Sequence, residues 1–157
     1  MPLTNNATRM LSAKGIAHQA HAVPTEKLGA MGTAEFLGVD AKRVFKSIVF
    51  RNLENGESLL AIVPGDMNAD AKALARAAGS KSVKAATQAE AEQLTGLQTG
   101  GISALALMNK RFRFFLDESA MEFEAIHISG GERGINISIS PQNFIEFCSI
   151  SLAKIAK

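Results

Sequence analysis

The chain has 157 residues, 46% of them hydrophobic and 20% charged, with a formal net charge of +2. That length suits one domain, residues 1–157, with a core burying roughly 70% of the extended-chain surface, and the charge is too small to indicate nucleic-acid binding by itself. The one cysteine excludes an intramolecular disulfide, no basic-then-apolar leader opens the sequence, and no apolar run reaches the ~18 residues of a membrane span, so a cytoplasmic location is expected.

In chain order, Asn6 is placed to cap a short helix that runs to Lys14 and stops at Gly15. Ile16–Val23 reads as a strand and Pro24–Gly32 as a loop. Thr33 is expected to cap Ala34–Leu37, with Gly38 closing it and Asp40 capping one further turn. Val44–Phe50 is rich in β-branched and aromatic residues and reads as a strand. Glu54-Asn55-Gly56 supplies the turn that returns Leu59–Val63 beside it. Asp70 caps a helix to Ala78 closed by Gly79, Ser82–Ala85 is a short strand, and Thr87 with Glu90 forms a capping box that opens a helix to Leu94. Ser103–Met108 and Phe112–Leu116 read as strands, as do Phe123–Ser129 and Ile135–Ile139 around the turn Gly130-Gly131-Glu132-Arg133-Gly134. Ser140-Pro141 starts the last helix, and Ser149–Lys157 reads as a fraying tail. The expected fold is α+β: a mixed, mostly antiparallel curved sheet or partly open barrel with short helices around it. Phe45–Phe50, Leu59–Val63 and Ala104–Met108 are apolar on both faces and should lie centrally. The glycine hairpin is half-polar and should lie near an edge or line a cleft, with Ile135, Ile137 and Ile139 on one face and Asn136 and Ser138 on the other.

Lys46 stands out because strand alternation puts it with Val44, Ile48 and Phe50. An amine on an apolar face must pair, bind an anion, or snorkel from the strand end. The two glycine-rich segments, Gly100-Gly101-Ile102-Ser103 and the turn after Ser129, allow close approach to the main chain. Their N–H groups could hold a carbonyl oxygen or an anion, or could simply form tight turns. Cys148 sits in the apolar run Phe144–Cys148 and reads as a core residue. His18 and His21 face opposite ways on a strand and cannot chelate one metal, His127 reads as a half-buried histidine, and no Cys/His/Asp cluster has metal spacing. No Ser-His-Asp or Cys-His arrangement is apparent.

The order Phe45-Lys46-Ser47, Val63-Pro64-Gly65-Asp66, Thr95–Ser103 (TGLQTGGIS), then Ile128–Gly134 (ISGGERG) followed by an alternating strand and a Ser-Pro helix, resembles the YbaK/EbsC family across nearly the whole chain. That family comprises free-standing domains that deacylate mischarged tRNA, similar to the editing insertion of bacterial prolyl-tRNA synthetases. The resemblance implies an aminoacyl-tRNA substrate, no cofactor and no metal, and makes a prolyl-tRNA synthetase a candidate partner. It implies catalytic roles for Lys46, Gly101 and Ser129. It implies substrate contacts at Ser47, Gly100, Ile102, Ser103, Gly130, Gly131 and Asn136. With a tRNA ligand implied, the basic groups Lys72, Arg76, Lys81 and Lys84, and then Lys110, Arg111 and Arg113, become candidates for phosphate contacts.

The chain departs from the family pattern at three places. Ala104 stands where proline usually follows the serine, Val23 lies near the usual aromatic, and Asn136 replaces an acidic residue. Ala104 and Val23 are expected to leave a small apolar pocket. The expected function is trans-editing deacylation that clears a small mischarged amino acid, with Cys first and Ala or Ser next, from a tRNA such as tRNA(Pro). The chemistry is hydrolase-like with water, or lyase-type if the substrate thiol is the nucleophile. The alternative is a non-catalytic tRNA- or synthetase-binding module of the same fold.

Overall fold

The structure, a computed structural model, describes residues 3–26 and 28–157; Met1, Pro2 and Lys27, the last within the expected Pro24–Gly32 loop, lie outside them. The described residues form an α+β fold of five α-helices and two sheets that do not close into a barrel. In chain order the elements are α1 (Asn6–Ala13), β1 (His18–Ala22), α2 (Gly29–Leu37), β2 (Phe45–Asn52), β3 (Ser58–Pro64), α3 (Ala71–Ala78), β4 (Val83–Ala85), α4 (Gln88–Thr95), β5 (Phe112–Asp117), β6 (Ile126–Ser129), β7 (Ile135–Ile139), α5 (Pro141–Cys148) and β8 (Ser151–Ala153). One sheet has the order β1-β7-β6 and is antiparallel throughout. The other has the order β4-β2-β3-β5-β8; β2 is antiparallel to β3 and β4, whereas β5 is parallel to β3 and β8. A single parallel bridge, Val44 to His127, joins them.

Strand alternation distributes the apolar side chains between two cores. Leu60 and Ile62 of β3 join Phe45 and Val49 of β2 in the larger core, which also takes Ile126, Ile128, Ile135, Ile137 and Ile139 from the three-stranded sheet. Leu59, Ala61 and Val63 point the other way, onto Leu74 and Ala75 of α3 and onto Phe50, Phe115 and Ile155. Lys46 therefore shares the parity of Ile48 and Phe50, as alternation requires.

Most helix boundaries follow their caps. The Asp70 side chain accepts from the N–H groups of Lys72 and Ala73, and Thr87 and Glu90 form the reciprocal box. Three expectations shift by local chemistry. The cap of α1 is Asn5, not Asn6, because the three-residue spacing to Thr8 lets the two side chains exchange hydrogen bonds with each other's backbone. Thr33 lies inside α2, where its hydroxyl donates back to Gly29 O at 2.9 Å. The run Ser103–Met108 is not a strand. Ser103 Oγ accepts from Leu105 N and starts a 3₁₀ turn, Ala104–Ala106, with Ala104, Leu105 and Leu107 fully buried in the larger core. Its apolar pattern reports burial, which a buried turn satisfies as well as a central strand.

The fourth shift is the C-terminal segment, which is anchored instead of frayed. β8 pairs with β5, and Ile155 and Ala156 are buried. Both of their N–H groups donate to Asp117 Oδ1 at 2.9 Å, and Asn68 and Lys157 exchange backbone hydrogen bonds. A buried carboxylate that satisfies two buried donors cannot be removed cheaply. Asp117→Ala should cost about 2–3 kcal/mol by leaving those donors unmatched, seen as a lower urea midpoint at unchanged m-value. An unchanged midpoint would show that the segment holds itself in place by packing alone.

Candidate functional site

A cavity of about 270 Å³ opens where the N-terminal half of β2, the start of α2, the 99–102 loop and the glycine hairpin converge. Its size lies just below that of usual ligand pockets, which run roughly 300–1,000 Å³. Lys46 and Ser47 come from β2, Gly100 and Ile102 from the loop, and Ser129 and Asn136 from β6 and β7; all six line the cavity. Six of the ten catalytic and substrate positions expected from the sequence thus meet in one place.

The Lys46 ammonium is half-buried and donates to Gly65 O at 3.3 Å. Among the described residues no carboxylate pairs with it; the ion pair Arg113–Glu57 lies elsewhere. Gly65 shows why the Val-Pro-Gly-Asp motif carries a glycine. A Cβ there would sit 2.7 Å from Ala30 Cβ and 3.0 Å from Val44 O, so only glycine lets α2 close over the end of β2.

The remaining four positions sit behind the cavity wall. Gly101 packs against the neighbouring turn, where a Cβ would lie 2.9 Å from Glu132 Cα and 3.1 Å from Arg133 N, and its own N–H donates to Gln98 O. Gly130 N donates to Ile135 O, and Gly131 N to Ser129 Oγ. The Ser103 hydroxyl is spent on the 3₁₀ turn. By contrast, the N–H groups of Gly100 and Ile102 find no acceptor among the described residues, and both residues face the cavity. Ala104 is buried in the core away from the cavity, whereas Val23 lines it, so of the two substitutions expected to shape the pocket only Val23 reaches it.

Sequence reasoning did not single out Arg133, which sits in the glycine turn it quoted. Arg133 Nε donates to Thr99 O at 2.7 Å and its chain lies against Gly100, so it clamps the two glycine loops together at the cavity wall. Asn5 braces the same turn from outside, donating to Gly130 O at 2.8 Å and Glu132 Oε1 at 3.1 Å. A charged side chain among glycines was the available signal, since a flexible turn with one long donor is suited to anchoring on a neighbouring carbonyl.

His127 is buried beside the site, with Nδ1 2.9 Å from Asn136 Oδ1 and its ring centroid 5.4 Å from that of His21. Burial holds its imidazolium below the usual histidine range; His21 and Arg43 act in the same direction, and the Asn136 bond opposes them. Cys148 lies buried in the larger core, its thiol pushed up to about 12 by burial, as expected of a structural residue. Among the described residues no three His, Cys, Asp or Glu side chains could hold a metal ion, and no helix is long and apolar enough to cross a membrane.

Lys72, Arg76, Lys81 and Lys84 are exposed on α3 and around β4. β4 pairs with the far end of β2, Lys84 opposite Arg51, five residues from Lys46 and so roughly 17 Å along the strand. Arg113 of the second basic group is engaged by Glu57 at 3.1 Å and by Ala78 O.

Residues 28–147 match the model of the aminoacyl-tRNA editing domain. The chain belongs to that family. It is also 32% identical over 152 residues, covering 96% of this chain and 92% of the relative, to a protein of Enterococcus faecalis named "Putative Cys-tRNA(Pro)/Cys-tRNA(Cys) deacylase EbsC". The fold is shared with a crystal structure described as a putative trans-editing enzyme for prolyl tRNA synthetase (TM-score 0.81, 23% identity, 99% of each chain). It is shared too with hypothetical protein APE2540 (TM-score 0.89, 20% identity, 98% of this chain and 100% of that one). The family is thus the one the motifs resemble, and the cavity lies within the matched region apart from Val23, Pro24 and Glu26.

Proposed function

We propose that the chain is a trans-editing deacylase that cleaves the ester of a small mischarged amino acid, cysteine first, from a tRNA such as tRNA(Pro). The observation that carries this reading is a small cavity lined by Lys46, Gly100 and Ile102, where the Lys46 ammonium and two N–H groups without an acceptor among the described residues are candidate donors. Donors held in place before reaction stabilise the oxyanion that develops when an ester carbonyl is attacked. The relative named for Cys-tRNA deacylation supports the choice of substrate.

On this reading the substrate thiol attacks its own ester carbonyl. A carbon–sulfur bond forms, the ester carbon–oxygen bond breaks, and the thiol proton ends on the departing ribose oxygen; water then opens the thioester ring. The protein supplies orientation and oxyanion donors, which suits a cavity without a nucleophile–base pair. Within the glycine segment Gly100 and Ile102 would be the donors, since Gly101 N–H is committed to Gln98 O. Alanyl- or seryl-tRNA requires water as nucleophile instead. A rate comparison of Cys-tRNA with Ser-tRNA on one tRNA body tests this. Cys should be cleaved faster by at least about tenfold, within the range small apolar pockets can discriminate, and Pro-tRNA should survive. Faster Ser cleavage would exclude the thiol route and favour water activated near Lys46 and Ser129.

The body of the tRNA would lie over Lys72, Arg76, Lys81 and Lys84. Replacing the four with alanine should weaken binding to all tRNAs alike and flatten log K against log salt by about 0.7–0.9 per lost phosphate contact. An identical slope would move the tRNA to another face, with Lys110 and Arg111 next in line.

A further inference from the structure

The register of the glycine hairpin sets Ser129 opposite Asn136 and His127 opposite Ser138, so these four side chains share one face while Ile126, Ile128, Ile137 and Ile139 fill the core behind it. His127 and Asn136 are diagonal neighbours on that face, 7% and 4% exposed, and joined at 2.9 Å through Nδ1 and Oδ1. An amide oxygen can only accept, so the ring nitrogen facing it must carry the proton. Burial first, then the nearby His21 and the Arg43 guanidinium, anchored on Ala125 O at 3.2 Å, disfavour a second proton on the ring, against the opposing pull of the Asn136 bond. The other half of the Asn136 amide, Nδ2, meets no acceptor among the described residues. Nor is it sealed: the sealed, unpartnered polar atoms are Arg43 Nε and Thr99 Oγ1. Asn136 lines the cavity, and its NH₂ is the half of the amide that His127 leaves free.

We infer that His127 is a positioning residue: by holding the Asn136 oxygen it turns the amide NH₂ into the cavity, where it selects a ligand group that accepts hydrogen bonds. With deacylation as the reaction, a reading this inference rests on, that group is the carbonyl oxygen of the aminoacyl ester. An asparagine free to rotate would offer oxygen or nitrogen with little preference; one held by a buried donor offers nitrogen alone. The ordering is done before the ligand arrives, so its loss should appear in kcat/KM.

Two measurements test this. Long-range ¹H–¹⁵N correlation of the histidine rings in the substrate-free protein should show His127 neutral and protonated on Nδ1 at pH 7; the Nε2-protonated tautomer would overturn the inference. A double-mutant cycle on kcat/KM supplies the second. His127→Phe should lower it about tenfold, and should add nothing to the loss in Asn136→Ala, because the two residues act as one unit. His127→Asn, whose amide nitrogen sits on Cγ as Nδ1 does and can still donate to Asn136 Oδ1, should recover most of the activity. Additive losses, a neutral His127→Phe, or a His127→Asn that folds yet is as impaired as Asn136→Ala would each overturn the inference. Should His127→Phe fail to fold, the tautomer and the asparagine variant still decide. In a chain inactive on every charged tRNA the tautomer still reports which way the amide faces, so failure of the deacylase reading is told apart from failure of this one.

Discussion

Lys46→Ala should lower deacylation by about 10³-fold while shifting the melting temperature by no more than about 2 °C. The reason is the position of the amine. It rests on one long hydrogen bond to Gly65 O, at 3.3 Å, and no carboxylate among the described residues neutralises it. A half-buried cation held so weakly contributes little to the fold, and removing it relieves a desolvation cost. On the proposed reading its charge serves an anionic oxygen in the cavity, the ester oxyanion or the terminal phosphate. Lys46→Met separates charge from packing, because it keeps most of the apolar stem. Both variants should lose activity alike. Unchanged turnover at unchanged melting temperature would remove Lys46 from the site.

Gly101→Ala should be the second most damaging single change, lowering the rate by about 10²-fold and the stability by about 1–3 kcal/mol. From sequence, the harm would come from a methyl group intruding on the substrate. The structure gives a different cause. The added carbon would lie 2.9–3.1 Å from three backbone atoms of Glu132 and Arg133, none of which can rotate away. The 99–103 loop must then part from the glycine turn, straining the Arg133 bond to Thr99 O and moving Gly100 and Ile102. Loss of activity should therefore accompany loss of stability. Full activity in a stable Gly101→Ala variant would show that the two loops can separate without disturbing the site.

The legible parts of this fold are those whose cause is local. Asn55-Gly56 sits between two apolar runs, and β2 and β3 pair antiparallel across it as expected. Asp70, Thr87 and Ser140 announce their helices because a side-chain oxygen a few residues from orphan N–H groups is enough. What was not legible depends on distant partners. β8 exists because Phe115, far back in the chain, offers an open edge to Ser151, and because Asp117 collects the donors that follow. Nothing in Ser149–Lys157 itself distinguishes that from a tail. Ser103–Met108 has the composition of a strand but fills a hole in a core.

The site divides the same way. Lys46, Ser47, Gly100, Ile102, Ser129 and Asn136 were reachable through motifs. That Gly101, Gly130 and Gly131 have already committed their N–H groups is a property of hydrogen-bond accounting across loops, which spacing does not reveal. The pairing of His127 with Asn136 required the exact offset of two strands, although the alternation had already put Asn136 on the polar side.

The bridge between Val44 and His127 gives the molecule a mechanical character. Lys46 and Ser47 ride on one sheet, Ser129 and Asn136 on the other, and the two plates are stitched by backbone at that one point. What holds the gap between them at its width is the shared core behind it, where Phe45 and Val49 meet the isoleucines of the other plate, so the walls that an occupant touches can part only if that packing gives way.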